Sequence, residues 1–211
     1  MQQLNPIVSR LLGLSPEVSY EAVDNVKEGT VANNLNVPTK YTTITGNNSM
    51  KNMEDFAAKW LHVRELSQNA KFNDDAFGEE LAKVGHKKGE PYCAYFAKSA
   101  ALNSTESQEE KNLVNAVLTP SSVRSFQNAQ KRGLVTNTPS PNSIAIYQTG
   151  PMKGHTALVT KDLGNGKFET IEGNTTGGGA REGDGVYRRI RNLSAFNNPK
   201  FKLLGFIKFG E

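Results

Sequence analysis

Apolar residues keep one spacing before about residue 135 and another after it. Met53, Phe56, Ala57, Trp60, Leu61 and Leu66 recur at three- and four-residue steps, the period of a helix with one buried face. Asn73-Asp74-Asp75 offers a cap for a second helix, with Phe77, Leu81 and Val84 on its inner face and Gly85 as its stop. A helix-favouring run follows from about Tyr92 to Leu102. Ser107 to Leu118 is another such segment, and Ser121 or Ser122 could cap one more that ends near Gly133. Beyond the turn-rich stretch from Thr136 to Ser143, short apolar and β-branched runs take over: Ile144–Tyr147, His155–Lys161, Lys167–Glu172, Gly185–Arg191 and Leu203–Phe209. Asp162 to Lys167 reads as a hairpin turn between the second and third of these. Helices first and strands afterwards predict an α+β fold, with N-terminal helices packed on a C-terminal antiparallel sheet of about five strands.

Residues 1–50 do not follow this pattern. Leu4, Ile7, Val8, Leu11, Leu12 and Leu14 form a short apolar helical face, and the stretch from Val18 to Asn48 is rich in Asn, Thr, Val and Gly. It reads as an extension or docking arm with little core of its own, while residues 51–211 form the main domain.

Composition narrows the setting only mildly. The 25 Lys and Arg against 21 Asp and Glu give a net charge of +4, which favours approach to anionic surfaces such as envelope polymers or nucleic acid. Mean hydropathy is −0.53, and no run approaches the ~20 apolar residues of a membrane-spanning helix. The N-terminus lacks the basic and apolar regions of a secretory signal, so delivery outside the producing cell would need lysis, a phage particle or a non-classical route. A single cysteine excludes any intrachain disulfide.

That cysteine, Cys93, follows a Gly-Glu-Pro turn signal and opens a helical run. A thiol there faces unpaired backbone N–H groups and the positive end of the helix dipole, which favour the nucleophilic thiolate. A lone cysteine is more often simple packing, so a base must be found before it means chemistry. Of the three histidines, His62 lies among charged neighbours and His86 sits just past a helix end, both ordinary surface settings. His155 follows Gly154 and opens a strand, at a sheet rim where a helix N-terminus can meet it. Glu172 ends the strand paired with that of His155. Either its carboxylate or the amide of Asn174, beyond a flexible Gly173, could orient the imidazole. Metal-ligand spacing is missing, Gly177-Gly178-Gly179 lacks the context of a phosphate loop, and Arg188-Arg189-Ile190-Arg191 reads as a solvated basic face without the aromatics of a nucleic-acid site.

Three segments in order, Pro91-Tyr-Cys-Ala-Tyr-Phe96, Gly154-His-Thr-Ala-Leu-Val159 and Thr170-Ile-Glu-Gly-Asn-Thr175, resemble the CHAP domain, the cysteine, histidine-dependent amidohydrolases/peptidases of the papain-like, NlpC/P60-related group. The likeness covers about residues 54–209. Tyr92 stands where many members carry Trp, and Asn142-Ser143 where Gly-Asp is usual. The resemblance implies a peptidoglycan hydrolase that cuts a stem-peptide bond or the muramoyl–alanine amide. In it Cys93 is the nucleophile, His155 the base, Glu172 or Asn174 the orienter, and Tyr92, Gly154 and Gly173 line the substrate site. Some relatives bind calcium beside the cysteine, but Lys87-Lys88-Gly89-Glu90 gives no reason to expect that metal, or any cofactor, here. The alternative is a phage-particle or secretion-system component whose residues 1–50 dock to a carrier.

Overall fold

The computed structural model describes residues 52–176 and 183–210. The expected arm at residues 1–50 and the triple-glycine loop lie outside them. The helical half contains α1 (Met53–Ala58), α2 (Asp75–Lys83), α3 (Cys93–Asn103), α4 (Gln108–Val117) and α5 (Ser122–Gln130). Local chemistry fixes their starts. Asp74 caps α2 by accepting from Ala76 N at 3.0 Å, and Ser121 caps α5 through Arg124 N. Ser107 and Glu110 form a reciprocal capping box on α4. Gly85 and Gly133 take the left-handed conformations (φ 93° and 70°) that end α2 and follow α5.

The strands are β1 (Glu65–Ser67), β2 (Lys71–Phe72), β3 (Val135–Thr136), β4 (Ser143–Gln148), β5 (Gly154–Gly164), β6 (Lys167–Thr175), β7 (Gly185–Asn192) and β8 (Lys202–Lys208). β1 and β2 form a small ribbon, and the rest make a six-stranded antiparallel sheet in the order β3-β8-β4-β5-β6-β7. The fold is therefore the α+β arrangement that the pattern predicts, with two differences. The apolar spacing from Met53 to Leu66 is not one helix: α1 stops at Ala58, and Leu66 is exposed in β1. Val135–Thr136, too short to stand out, adds a sixth strand beside β8.

Both faces of the sheet are covered. Ile144, Ile146, Leu158, Ile171, Val186 and Ile207 face the helices and join Phe77, Phe96 and Leu81 in the main core. On the other face Tyr147, Val159, Phe168, Leu203 and Phe206 are roofed by Leu193, Phe196 and Phe201 from the β7–β8 connection. α3 is buried on nearly every side, and its Ala94, Ala97, Ala100 and Ala101 let it lie close against β5 and β6.

Candidate active site

Cys93 is the first residue of α3, and its side chain is almost wholly buried, with the residue 6% exposed. The preceding Tyr92 is fully buried, its ring in edge contact with Phe72 and Phe77 at 5.1 and 5.7 Å. This anchors the helix start. Burial alone would raise the Cys93 thiol. The hydrogen bond and charge of His155 outweigh it, with the Thr156 and Ala94 N–H groups, and bring the thiol below its ordinary value.

His155 is the second residue of β5 and pairs across the ladder with Tyr147 of β4. Its Nε2 donates to Glu172 Oε2 at 2.9 Å, with both side chains out of solvent. Nδ1 is buried without a conventional hydrogen-bond partner, which leaves it as the nitrogen available to the thiol. Burial opposes the imidazolium, but Cys93 and Glu172 favour it, and the imidazole is raised to about 9. Thiol and ring thus move toward a thiolate–imidazolium pair.

Glu172 carries no unsatisfied oxygen. Oε1 accepts from Arg191 Nε at 2.7 Å and from Thr170 Oγ1 at 2.6 Å, and Oε2 accepts from Arg191 Nη2 as well as from His155. Burial would raise this carboxyl, yet Arg191 and His155 hold it far below the usual carboxylate range. Arg191 pairs with Phe168 across the ladder and so lies on the sheet face turned from the helices, the face of Tyr147. Its guanidinium sits 5.7 Å from the Tyr147 ring and 5.4 Å from that of Phe201, two rings stacked at 4.4 Å.

Among the residues expected at the site, Cys93, His155 and Glu172 come together. Asn174 does not join them: its Oδ1 accepts from Gly183 N at 3.3 Å, and its φ of 54° falls at the irregularity of β6 between Glu172 and Thr175. Strand β6 does not end at Glu172 but runs on to Thr175, so Gly173 is a strand residue and no hinge. A β-carbon on it would meet Phe96 Cβ and Tyr92 Cε2 at 3.0 Å, which makes it a point of close approach between β6 and α3. Tyr92, expected to line the substrate site, lies in the aromatic core instead. Gly154 does line the cavity beside Cys93, and a β-carbon there would stand 2.3 Å from Tyr147 O. His62 pairs with Asp74 at the surface. His86 donates from Nε2 to Glu90 O at 2.8 Å and packs on Tyr95, fixing the loop at the cavity rim.

Arg191 departs from the solvated basic face expected of Arg188 to Arg191, because its side chain turns in to bond Glu172. It belongs to no solvated face. Alternation along β7 separates it from the exposed Arg188 and Ile190, and that alternation was the available signal.

A cavity of about 360 Å³ opens beside the sulfur, bounded by Glu90, Pro91, Tyr95, Ser122, Met152 and Lys153. Among the described residues no group of three or more His, Cys, Asp or Glu could hold a metal ion, and no helix is long and apolar enough to cross a membrane. A family comparison matches residues 85–174 to the CHAP domain. Those residues, fewer than half of the chain, are similar to the CHAP domain. The CHAP family comprises hydrolases of amidase and peptidase type, generally cysteine-dependent, and Cys93, His155, Glu172 and Asn174 all fall inside the matched residues, whereas Arg191 lies beyond them. Comparisons with curated proteins and with solved structures return no match.

Proposed function

We propose that this CHAP-like domain hydrolyses an amide bond of bacterial peptidoglycan through a covalent thioester on Cys93. The observation that carries the chemistry is the buried line from Cys93 through the His155 ring to Glu172. The likeness to the CHAP domain supports peptidoglycan as the substrate class. The thiolate attacks the amide carbonyl carbon and forms a C–S bond, while the backbone N–H of Cys93 helps hold the oxyanion, a contact of a kind worth ~3 kcal/mol. The imidazolium of His155 gives its Nδ1 proton to the leaving nitrogen as the C–N bond breaks. Water then attacks the thioester, His155 takes a proton from it, and carboxylic acid and thiol are released. Glu172 keeps the ring in the orientation that this exchange requires. The CHAP-like domain would meet its substrate after delivery to the wall by lysis, in a phage particle, or by a non-classical route.

The test is digestion of purified peptidoglycan followed by mass spectrometry. Amide cleavage produces new amino ends and no new reducing sugars, and the fragment masses report which amide is cut. Cys93→Ala should lose at least about 10³-fold in rate. Equal digestion by that variant, or new reducing ends, would overturn the reading.

A further inference from the structure

Four ionisable side chains form one buried, connected group: Cys93 on α3, His155 on β5, Glu172 on β6 and Arg191 on β7. With the thiol and carboxyl ionised and both bases protonated, their charges sum to zero. The first three alone would sum to −1 whenever thiolate and imidazolium coexist. We propose that Arg191 is a positioning residue of the active site, the second cation that lets thiolate, imidazolium and carboxylate stand together, with its two-pronged bond fixing the plane of Glu172. The proposal rests on the Cys93–His155 pairing of the proposed function.

The geometry favours a dedicated role. Nε and Nη2 donate to the two different oxygens of one carboxylate that bonds His155. The Arg191 side chain is only 14% exposed, and it lies by the stacked Tyr147 and Phe201, the latter 6.0 Å from the His155 ring. A surface ion pair would need neither the burial nor the rings. The other groups facing the cluster do not replace this charge. Tyr147 from β4 is neutral, since burial and Glu172 push its phenol up. Tyr92 at the start of α3 is likewise neutral, since burial raises its phenol, with Glu65 and Asp184 adding to the shift. Glu90 and Lys153 line the cavity with Cys93 and do not bond Glu172, whose oxygens are held by His155, Thr170 and Arg191, and Arg188 of β7 is committed to Glu54 and Glu169.

The sole cysteine gives a direct readout, because whole-protein mass after iodoacetamide treatment reports the thiolate of Cys93 alone. The full chain is alkylated across a pH series, with circular dichroism as the check on folding. Arg191→Met leaves a net negative cluster, so the thiol should hold its proton longer: the midpoint rises by about one pH unit, and the rate below it falls about tenfold. Glu172→Gln leaves a net positive cluster and should move the midpoint down. The double variant is neutral again and should return toward wild type. Arg191→Lys keeps the charge but loses the two-pronged bond, so its midpoint should stay near wild type while peptidoglycan hydrolysis drops. Generic damage to the fold would not give shifts of opposite sign. Unmoved midpoints, or shifts of the same sign in both single variants, overturn the proposal. If Arg191→Met does not fold, a lowered midpoint in Glu172→Gln together with a near wild-type midpoint and reduced hydrolysis in Arg191→Lys supports the proposal, and an unmoved or raised midpoint in Glu172→Gln overturns it. A wild-type midpoint at the ordinary thiol value of about 8.5 would instead sink the thiolate–imidazolium reading beneath it.

Discussion

Gly173 and Phe96 stand so close that a β-carbon on the glycine would lie 3.0 Å from Phe96 Cβ. This contact sets the spacing between β6, which carries Glu172, and α3, which carries Cys93. Phe96 is fully buried against Phe77 and cannot retreat into solvent. Gly173→Ala should therefore push strand and helix apart, costing about 1–3 kcal/mol of stability as overpacking does. Thermal melting measures the first effect. The second is a drop in peptidoglycan hydrolysis larger than the stability loss explains, because the thiol moves away from His155. An alanine variant as stable and as active as wild type would refute this account of the glycine.

Tyr92 supplies a second separation of packing from chemistry. It is fully buried among Phe72, Phe77 and His86, with no surface left for a substrate to touch. Tyr92→Phe should leave KM for wall fragments unchanged. Tyr92→Ala should cost about 3–5 kcal/mol in a chemical denaturation experiment, as truncation of a buried aromatic does. A raised KM in the phenylalanine variant would return Tyr92 to the substrate site.

The order of elements and the first three members of the site were legible in the sequence for definite physical reasons. Caps at Asp74, Ser107 and Ser121 are local chemistry, and so is the placement of Cys93 at a helix start. The pairing of the His155 and Glu172 strands follows from a hairpin whose turn residues, Gly164, Asn165 and Gly166, all adopt positive φ. What was not legible depends on contacts between segments far apart in the chain. Arg191 reaches Glu172 across nineteen positions in sequence, and Phe201, which roofs it, comes from a different connection. The apolar spacing of Leu66 matched a helix, yet the backbone of Arg64, Glu65 and Asn73 is bonded into the ribbon beside β7. Tertiary pairing overrode the local period there.

The histidines outside the cluster should separate cleanly. His62 meets Asp74 at the surface, 58% exposed, and His62→Ala should leave hydrolysis unchanged. His86 bonds the carbonyl of Glu90, whose carboxylate in turn accepts from Tyr95 OH at 2.6 Å, so it braces one wall of the cavity. His86→Ala should raise KM several-fold, with kcat and Cys93 alkylation little changed. Steady-state kinetics on a soluble wall peptide would show it, and a fall in kcat at constant KM would contradict the bracing role.

The last prediction concerns pH, where the signs differ for the two partners of His155. The imidazole is raised from 6.5 to about 9, so its contribution to stability is fully present below about pH 6.5 and is lost as pH rises through about 9. Glu172 is depressed below its ordinary 4.5, so its contribution is present above that value and is lost as pH falls beneath it. On the proposed mechanism, hydrolysis should accordingly hold through neutral pH and fall above about 9, when the imidazolium that would protonate the leaving nitrogen disappears. Melting temperatures across pH would trace the same alkaline limb. Cys93→Ala supplies the control: the thiol's hydrogen bond and charge are among the causes that raise His155. Without them the alkaline loss of stability should become smaller and begin at lower pH. An alkaline limb identical in wild type and Cys93→Ala would mean that the thiol and the ring are not electrostatically coupled.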